Sequence, residues 1–390
     1  MSATLSGTRF TRQNLRLDGW LILATLLLLG SGLLSIYSLG TTHDQGYFKK
    51  QVLFLALGAI PFAVFYLVPL SFWLRKAGLL YVLSLGMLVL VLVKGRSSHG
   101  SHRWIMLGSF QFEPNELVKL LTIISLAAFF ALRYDRIREW STHLLALAQI
   151  VPLMLLMAKQ PETAAAMVLF VIWFCVALAA GIPLRYLAAT LLVLGALAAV
   201  VVLVDPRLIL KPYQIQRLKA LAAKGSGDKE PASISKQQRS EIEAASYQAM
   251  RAELAFGSGG VLGSGFLRGE QTNSGTIPEQ HDDFIFTVVG EEGGLIGATL
   301  VLAAFGLFFF RLWLILLRAS EPYHRMLIAG IIGLLAFHMV VNLFMILQLI
   351  AVAGLWLPFM SYGGTALWLC MACVGMALNV KRGEQPVLFH

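Results

Sequence analysis

Charge is the first thing this sequence has little of. Only 13% of its 390 residues are Asp, Glu, Lys or Arg, against 57% hydrophobic. A soluble domain carries about 25% charge, so the pair of soluble domains that the length would allow is excluded. Cysteine is also scarce. Cys175, Cys370 and Cys373 all lie in apolar runs, so no disulfide framework braces a water-facing loop. The Cys370-x-x-Cys373 pair has no βαβ context and reads as buried thiol, not as a redox couple. Nucleotide-binding and serine-hydrolase signatures are missing too. Gly257-Ser258-Gly259-Gly260-Val261-Leu262-Gly263 is not G-x-G-x-x-G and follows no strand, and there is no G-x-S-x-G. No internal repeat of the kind that marks many transporters is evident.

What is present comes in apolar runs near the roughly 20 residues that cross a bilayer. Ten are predicted: 19–40, 52–70, 77–94, 115–132, 142–158, 164–181, 187–204, 284–310, 326–347 and 364–380. The first run follows basic residues but is too long for a signal-peptide core and has no A-x-A-like site after it, so it reads as a retained span. The net charge of +10 does not point to nucleic acid, because of where the cations lie. Counting short links only, fourteen (Arg9, Arg12, Arg16, Arg75, Lys76, Arg133, Arg136, Arg138, Arg185, Arg311, Arg318, Arg325, Lys381, Arg382) share a side with both termini. Six (Lys49, Lys50, Lys94, Arg96, Arg103, Lys159) lie opposite. This bias places both termini in the cytoplasm. The expected fold is an all-α integral membrane bundle of about ten helices, one domain over residues 1–390. A long extracytoplasmic loop, 205–283, separates spans seven and eight. Within that loop, Lys236 to Ala255 reads either as a surface helix or as a flexible insertion.

Ionisable residues inside spans are costly and mark function by default. Glu116 and Lys119, at i, i+3 on the fourth span, share a helix face beside a polar loop carrying Arg103 and Trp104. The structural alternative is an ion pair with Lys119 snorkelling to the interface. Lys159 and Glu162 flank Pro161 between spans five and six. The densest cluster is Pro278-Glu279-Gln280-His281-Asp282-Asp283, just before Phe284-Ile285-Phe286, with Glu291 and Glu292 further on. Partial desolvation there would raise a carboxylate's proton affinity and suit it to act as a base. A metal site from Glu279, His281 and Asp282 is the weaker alternative, since the spacing matches no strong metal motif. Pro358 to Thr365, with Ser361 and two glycines, interrupts the last two spans, and such backbone needs a buried or cavity-lining setting.

These segments together resemble the SEDS family (shape, elongation, division and sporulation proteins). The likeness is carried by Arg103-Trp104-Ile105, Phe112-x-Pro114-x-Glu116-Leu117-x-Lys119, Lys159-Gln160-Pro161, Gly257-Ser258-Gly259-Gly260, Pro278-Glu279-x-His281-x-Asp283-Phe284, Gly290-Glu291-Glu292 and Leu357-Pro358-Phe359-x-Ser361-Tyr362-Gly363-Gly364. Lys159-Gln160-Pro161 and Gly265-Phe266-Leu267 look more like the elongation (RodA) branch than the division (FtsW) branch. Glu162 stands where the family usually has Asp, and Asp282 where it usually has Thr.

The resemblance implies a peptidoglycan glycosyltransferase of the bacterial cytoplasmic membrane that polymerises lipid II and releases undecaprenyl diphosphate. Asp283 would be the essential carboxylate and general base. Arg103, Trp104, Glu116, Lys119, Lys159, Glu162, His281 and Ser361 would form the substrate site. Arg103 and Lys119 would face the diphosphate, and Glu162 would orient the site or a bound divalent cation. A class B penicillin-binding protein is the implied partner. The competing classes are a lipid-linked-sugar transporter and a division paralogue.

Overall fold

The structure, a computed structural model, describes residues 17–42, 45–98, 101–107, 110–160, 163–204, 250–275, 277–350 and 353–383. Seven apolar helices come first: α1 (Gly19–Thr42), α2 (Gln45–Leu67), α3 (Leu70–Lys94), α4 (Pro114–Leu132), α5 (Trp140–Ala158), α6 (Thr163–Ala180) and α7 (Leu184–Val204). A short α8 (Glu270–Ser274) precedes α9 (Ile285–Arg318), α10 (Pro322–Ile346) and α11 (Gly364–Arg382). Among the described residues nine helices are long and apolar enough to span a membrane, and α7 is apolar over Leu184–Leu197. Prolines at the first turns of α4 and α10 suit positions whose N–H groups have no intrahelical partner.

The helices outrun the predicted spans. α2 begins at Gln45, α3 at Leu70, and α9 runs on to Arg318. Hydrophobicity marks the stretch that must lie in hydrocarbon, whereas the hydrogen-bond ladder continues through flanking residues such as Lys49, Lys50, Arg311 and Arg318. The loop between α3 and α4 departs from the all-helical expectation. It contains a small antiparallel sheet in the order β1 (Arg96–Ser98), β2 (Ser101–Leu107), β3 (Phe110–Phe112). Of the proposed surface helix in the long loop, residues 250–258 are helical. Its earlier part, from Lys236, lies outside the described residues.

α4, α10 and α11 are the most buried spans and form the centre. α2 lies along α11, α6 along α10, α3 along α4 and α1 along α9. The outer helices expose large apolar side chains, among them Trp20, Ile60, Leu79 and Leu192. A surface of that kind is stable against lipid tails and not against water.

α9 is not one rod. Gly294 adopts φ 61°, ψ −160°, a conformation essentially restricted to glycine, and breaks the helix there. Residues 257–265 dock into the break. The Ser264 and Gly265 amides donate to the Glu291 and Glu292 carbonyls at 2.9 and 3.1 Å, and the Leu295 and Ile296 amides donate to Gly260 and Val261 at 2.9 and 3.2 Å. Backbone groups released by the kink are thereby satisfied, as they must be near hydrocarbon. This explains the glycine-rich run. A Cβ at Gly263 would lie 2.1 Å from the Glu292 carbonyl oxygen, so the motif serves close backbone packing.

Candidate active site

Asp283 lies in the turn 277–284 that leads into α9. Glu279 takes φ 54°, and its carbonyl accepts the Asp282 and Asp283 amides at 3.1 Å each. The turn is stitched to the interrupted segment 353–363. Ser361 Oγ donates to the Asp282 carbonyl and accepts the Leu357 amide, both at 2.7 Å. The Tyr362 amide donates to the His281 carbonyl at 2.9 Å. Asn342 Nδ2, from α10, donates to the Asp283 carbonyl at 2.8 Å and the Leu355 carbonyl at 2.7 Å. Gln51 on α2 closes the far side, donating to the Ser361 carbonyl and accepting the Gly363 amide at 3.2 Å each. Non-helical backbone persists here because α2, α10 and the 277–284 turn supply the missing partners. The Asp283 carboxylate faces Gly354, where a Cβ would come 3.8 Å from Oδ2.

The His281 ring packs against Tyr47 and Tyr362, centroids 4.5 and 5.4 Å away. Burial pushes its pKa below the ordinary imidazole value, against the pull of Glu279 at 3.7 Å. Its surroundings therefore favour the uncharged ring, set against two tyrosine rings in tilted and edge-on contacts.

Glu116 and Lys119 do not snorkel. They are 3% and 1% exposed, and Lys119 Nζ donates to Glu116 Oε1 at 2.7 Å. Lys119 Nζ also lies 3.3 Å from His338 Nε2 and 5.6 Å from the centre of the Trp356 ring. The His338 and Trp356 rings stack at 4.0 Å, and His338 Nδ1 lies 3.4 Å from the Trp356 carbonyl. An Nε2 that accepts from Lys119 and an Nδ1–H that points at a carbonyl describe the neutral ring. Glu116 Oε2 and Trp356 Nε1 are buried without a hydrogen-bond partner among the described residues.

The remaining expected site residues divide. Trp104, half-buried, and Arg103 lie on β2. Lys159 is exposed at the end of α5, while its neighbour Gln160 is fully buried. Gln160 accepts from Asn115 at 2.8 Å and donates to the Leu88 carbonyl at 3.3 Å, so it joins α3, α4 and the end of α5. Glu162 lies outside the described residues. Glu291 and Glu292, read from sequence as further members of the carboxylate site, are spent on structure. Glu291 accepts the Gln271 and Thr272 amides and the Thr272 hydroxyl at 2.6–2.9 Å, holding the start of α8. Glu292 accepts from Ser38 of α1 at 2.5 Å. Among the described residues no group of three His, Cys, Asp or Glu is arranged to hold a metal ion, and Glu279, His281 and Asp282 do not assemble one. His338, Asn342, Gln51 and Trp356 are the site residues that sequence reading missed.

These features define a class: a multi-pass membrane bundle whose central helices and one interrupted segment hold a polar site at one end. The sequence matches the FtsW/RodA/SpoVE family, described as cell cycle proteins, over residues 19–385. The chain belongs to that family, whose members place it in the bacterial cytoplasmic membrane. It is 32% identical over 373 residues to the probable peptidoglycan glycosyltransferase FtsW of Trichlorobacter lovleyi, covering 93% of this chain and 92% of that one. It is 30% identical over 365 residues to the peptidoglycan glycosyltransferase MrdB of Escherichia coli, covering 93% of each. Among solved structures, it superposes on a chain of a peptidoglycan synthase complex that coordinates polymerization and crosslinking, with TM-score 0.76, 28% identity and coverage of 95% and 99%. It also superposes on the rod shape determining protein RodA of Thermus thermophilus with TM-score 0.68, 27% identity and coverage of 95% and 98%.

Proposed function

We propose that this protein polymerises lipid II into glycan strands by inverting glycosyl transfer. The 4-hydroxyl of a lipid II GlcNAc attacks the anomeric carbon of a lipid-linked MurNAc, and undecaprenyl diphosphate leaves. Asp283 takes the hydroxyl proton, a contribution typically of about 10²–10⁴-fold. The observation that carries this reading is the clamped turn: three carbonyls in a row, of His281, Asp282 and Asp283, are bonded to the 353–363 segment or to α10. A base held that tightly is preorganised for one geometry. Arg103 and Lys159 are the cations assigned to the departing diphosphate. Lys119, already committed to Glu116 and shut from solvent, acts from beneath the site on its field and its packing.

An apolar cavity of about 380 Å³ opens beside this site between α2, α4 and α11, lined by residues including Leu57, Ile60, Leu117 and Trp368. Its lining suits a polyprenyl tail, so that the sugars can meet at the bundle end while the tail stays in the bilayer. That end faces out of the cell, both termini face the cytoplasm, and a class B penicillin-binding protein supplies crosslinking. Lys159-Gln160-Pro161 supports a role in elongation.

The test is polymerisation of lipid II by purified protein, alone and with its transpeptidase. Wild type should yield strands and Asp283→Ala none. Equal product from both would remove Asp283 as the base. Lipid II crossing liposomes with no polymer from wild type would replace the enzyme with a transporter. Depletion in cells should give rounding; filaments with blocked septa would assign the division branch.

A further inference from the structure

We infer that one face of α10 acts as a positioning rail for the reaction, with Asn342 setting where Asp283 sits. The inference rests on Asp283 being the base. His338 and Asn342 are one turn apart on a span whose surrounding residues are apolar, and both side chains are fully buried. Placing an imidazole and an amide there is unfavourable unless each finds partners. Asn342 spends both amide hydrogens at once. One goes to the carbonyl of Asp283 and the other to that of Leu355. One turn back, His338 approaches the next carbonyl of the same segment, Trp356, through Nδ1 and Lys119 through Nε2.

The two residues therefore hold consecutive carbonyls, 355 and 356, and each reaches from there to a different charged residue. Asn342 reaches the Asp283 backbone, and His338 reaches the Lys119 ammonium. Neither needs to touch substrate. The other ties on the segment, from Ser361 and Gln51, lie at 357–363. Asn342 joins residue 283 itself to α10. A rigid helix thus fixes the carboxylate-bearing residue through its main chain. Misplacement by about 1 Å is enough to cost on the order of 10²-fold in turnover.

The test compares Asn342→Leu, which keeps the shape and loses both donors, with Asn342→Gln, which keeps the donors on a longer arm. Steady-state lipid II polymerisation, thermal unfolding in detergent and hydrogen exchange of the 277–286 peptide are measured on each. The expected result for Asn342→Leu is kcat lower by about 10–10²-fold, KM little changed, and faster exchange confined to 277–286 and 353–362. Asn342→Gln should recover part of the turnover. Wild-type kcat in folded Asn342→Leu overturns the inference. So does turnover that falls only in proportion to the folded fraction. If Asn342→Leu does not fold, Asn342→Gln decides: slower turnover with faster exchange at 277–286 supports the rail, and slower turnover with unchanged exchange there overturns it. Asp283→Asn is assayed in parallel. If that variant still polymerises, the base assignment fails. If it is inactive while Asn342→Leu is not, only the positioning role fails.

Discussion

Two aspartates stand just before membrane helices at opposite ends of the bundle, and the fold holds them in opposite ways. Asp18 precedes α1 and is 1% exposed. Its carboxylate caps the helix through the Leu21 amide at 3.1 Å and accepts Arg311 at 2.6 Å and Lys381 at 2.5 Å, drawing the ends of α9 and α11 to the start of α1. Asp283 precedes α9 and is only half-buried. Its backbone is what α10 holds, through Asn342. The Asp18 carboxylate spends its oxygens on the fold, whereas residue 283, the base proposed above, is tied to α10 through its main chain. Asp283 precedes the start of α9 and Asp18 pairs with Arg311 near its other end, so each can be altered with little effect on the other.

The largest expected contrast is in turnover. Asp283→Asn should lower polymerisation by about 10²–10⁴-fold with little change in unfolding temperature, and Asp18→Asn should do the reverse. Asp282→Asn sharpens the comparison within the turn, since its carbonyl and not its charge is used by Ser361. It should keep most of its turnover, and a loss as deep as that of Asp283→Asn would move the base to residue 282.

Next in size is the buried pair at the site end. Glu116→Gln leaves the Lys119 charge buried without its counter-ion and should cost about 3–5 kcal/mol of stability. Adding Lys119→Met removes the stranded charge and should return much of that stability, because a buried pair is often no better than well-packed apolar side chains. Thermal unfolding of the single and double variants checks this. If the double variant also regains full turnover, the pair is structural only and belongs with Asp18.

The bundle was legible because bilayer thickness imposes one length on every span. The helix ends were not, because hydrogen bonding continues where hydrophobicity stops. The loop sheet escaped because Arg96 to Phe112 is short-stranded, with no sustained alternation. Asp283 stood out in the sequence as a carboxylate at an apolar border, and the family resemblance supplied the role proposed for it above. Glu291 and Glu292 look equally catalytic in sequence, and their contacts with Thr272 and Ser38 were not legible there. His338 and Asn342 carried a usable signal: two lone polar residues, four apart, in an apolar run. What no sequence pattern could supply was their partners, the carbonyls of Asp283, Leu355 and Trp356 and the Lys119 ammonium.

A smaller effect is expected where the site segment meets α1. A Cβ at Gly32 would lie 2.6 Å from Met360 Cα and 2.9 Å from its carbonyl oxygen, both backbone atoms. Gly32→Ala should therefore push the 357–361 turn outward, at about 1–3 kcal/mol of overpacking strain. Because that turn carries the Ser361 bond to Asp282, turnover should fall further than the unfolding temperature alone accounts for. Equal stability and turnover to wild type would show that the segment yields without consequence.

The smallest expected effect is the most specific in its pH dependence. The carboxylate of Asp18 is raised by burial but brought below the ordinary 3.8 by Arg311 and Lys381, with help from the Leu21 amide. A depressed carboxylate pKa means that the unfolded chain binds the proton more readily than the folded one. The stabilisation is then complete above about pH 4 and is lost as pH falls through the lower, folded value. Both cations reach solvent with part of their side chains, so removing the charge should cost only about 1–2 kcal/mol, between the exposed and the buried limits. Asp18→Asn should accordingly melt below wild type at pH 7 and converge with it on acidification below pH 4. A gap that stays constant to pH 3 would mean that packing of the side chain, and not its charge, holds the three helix ends together.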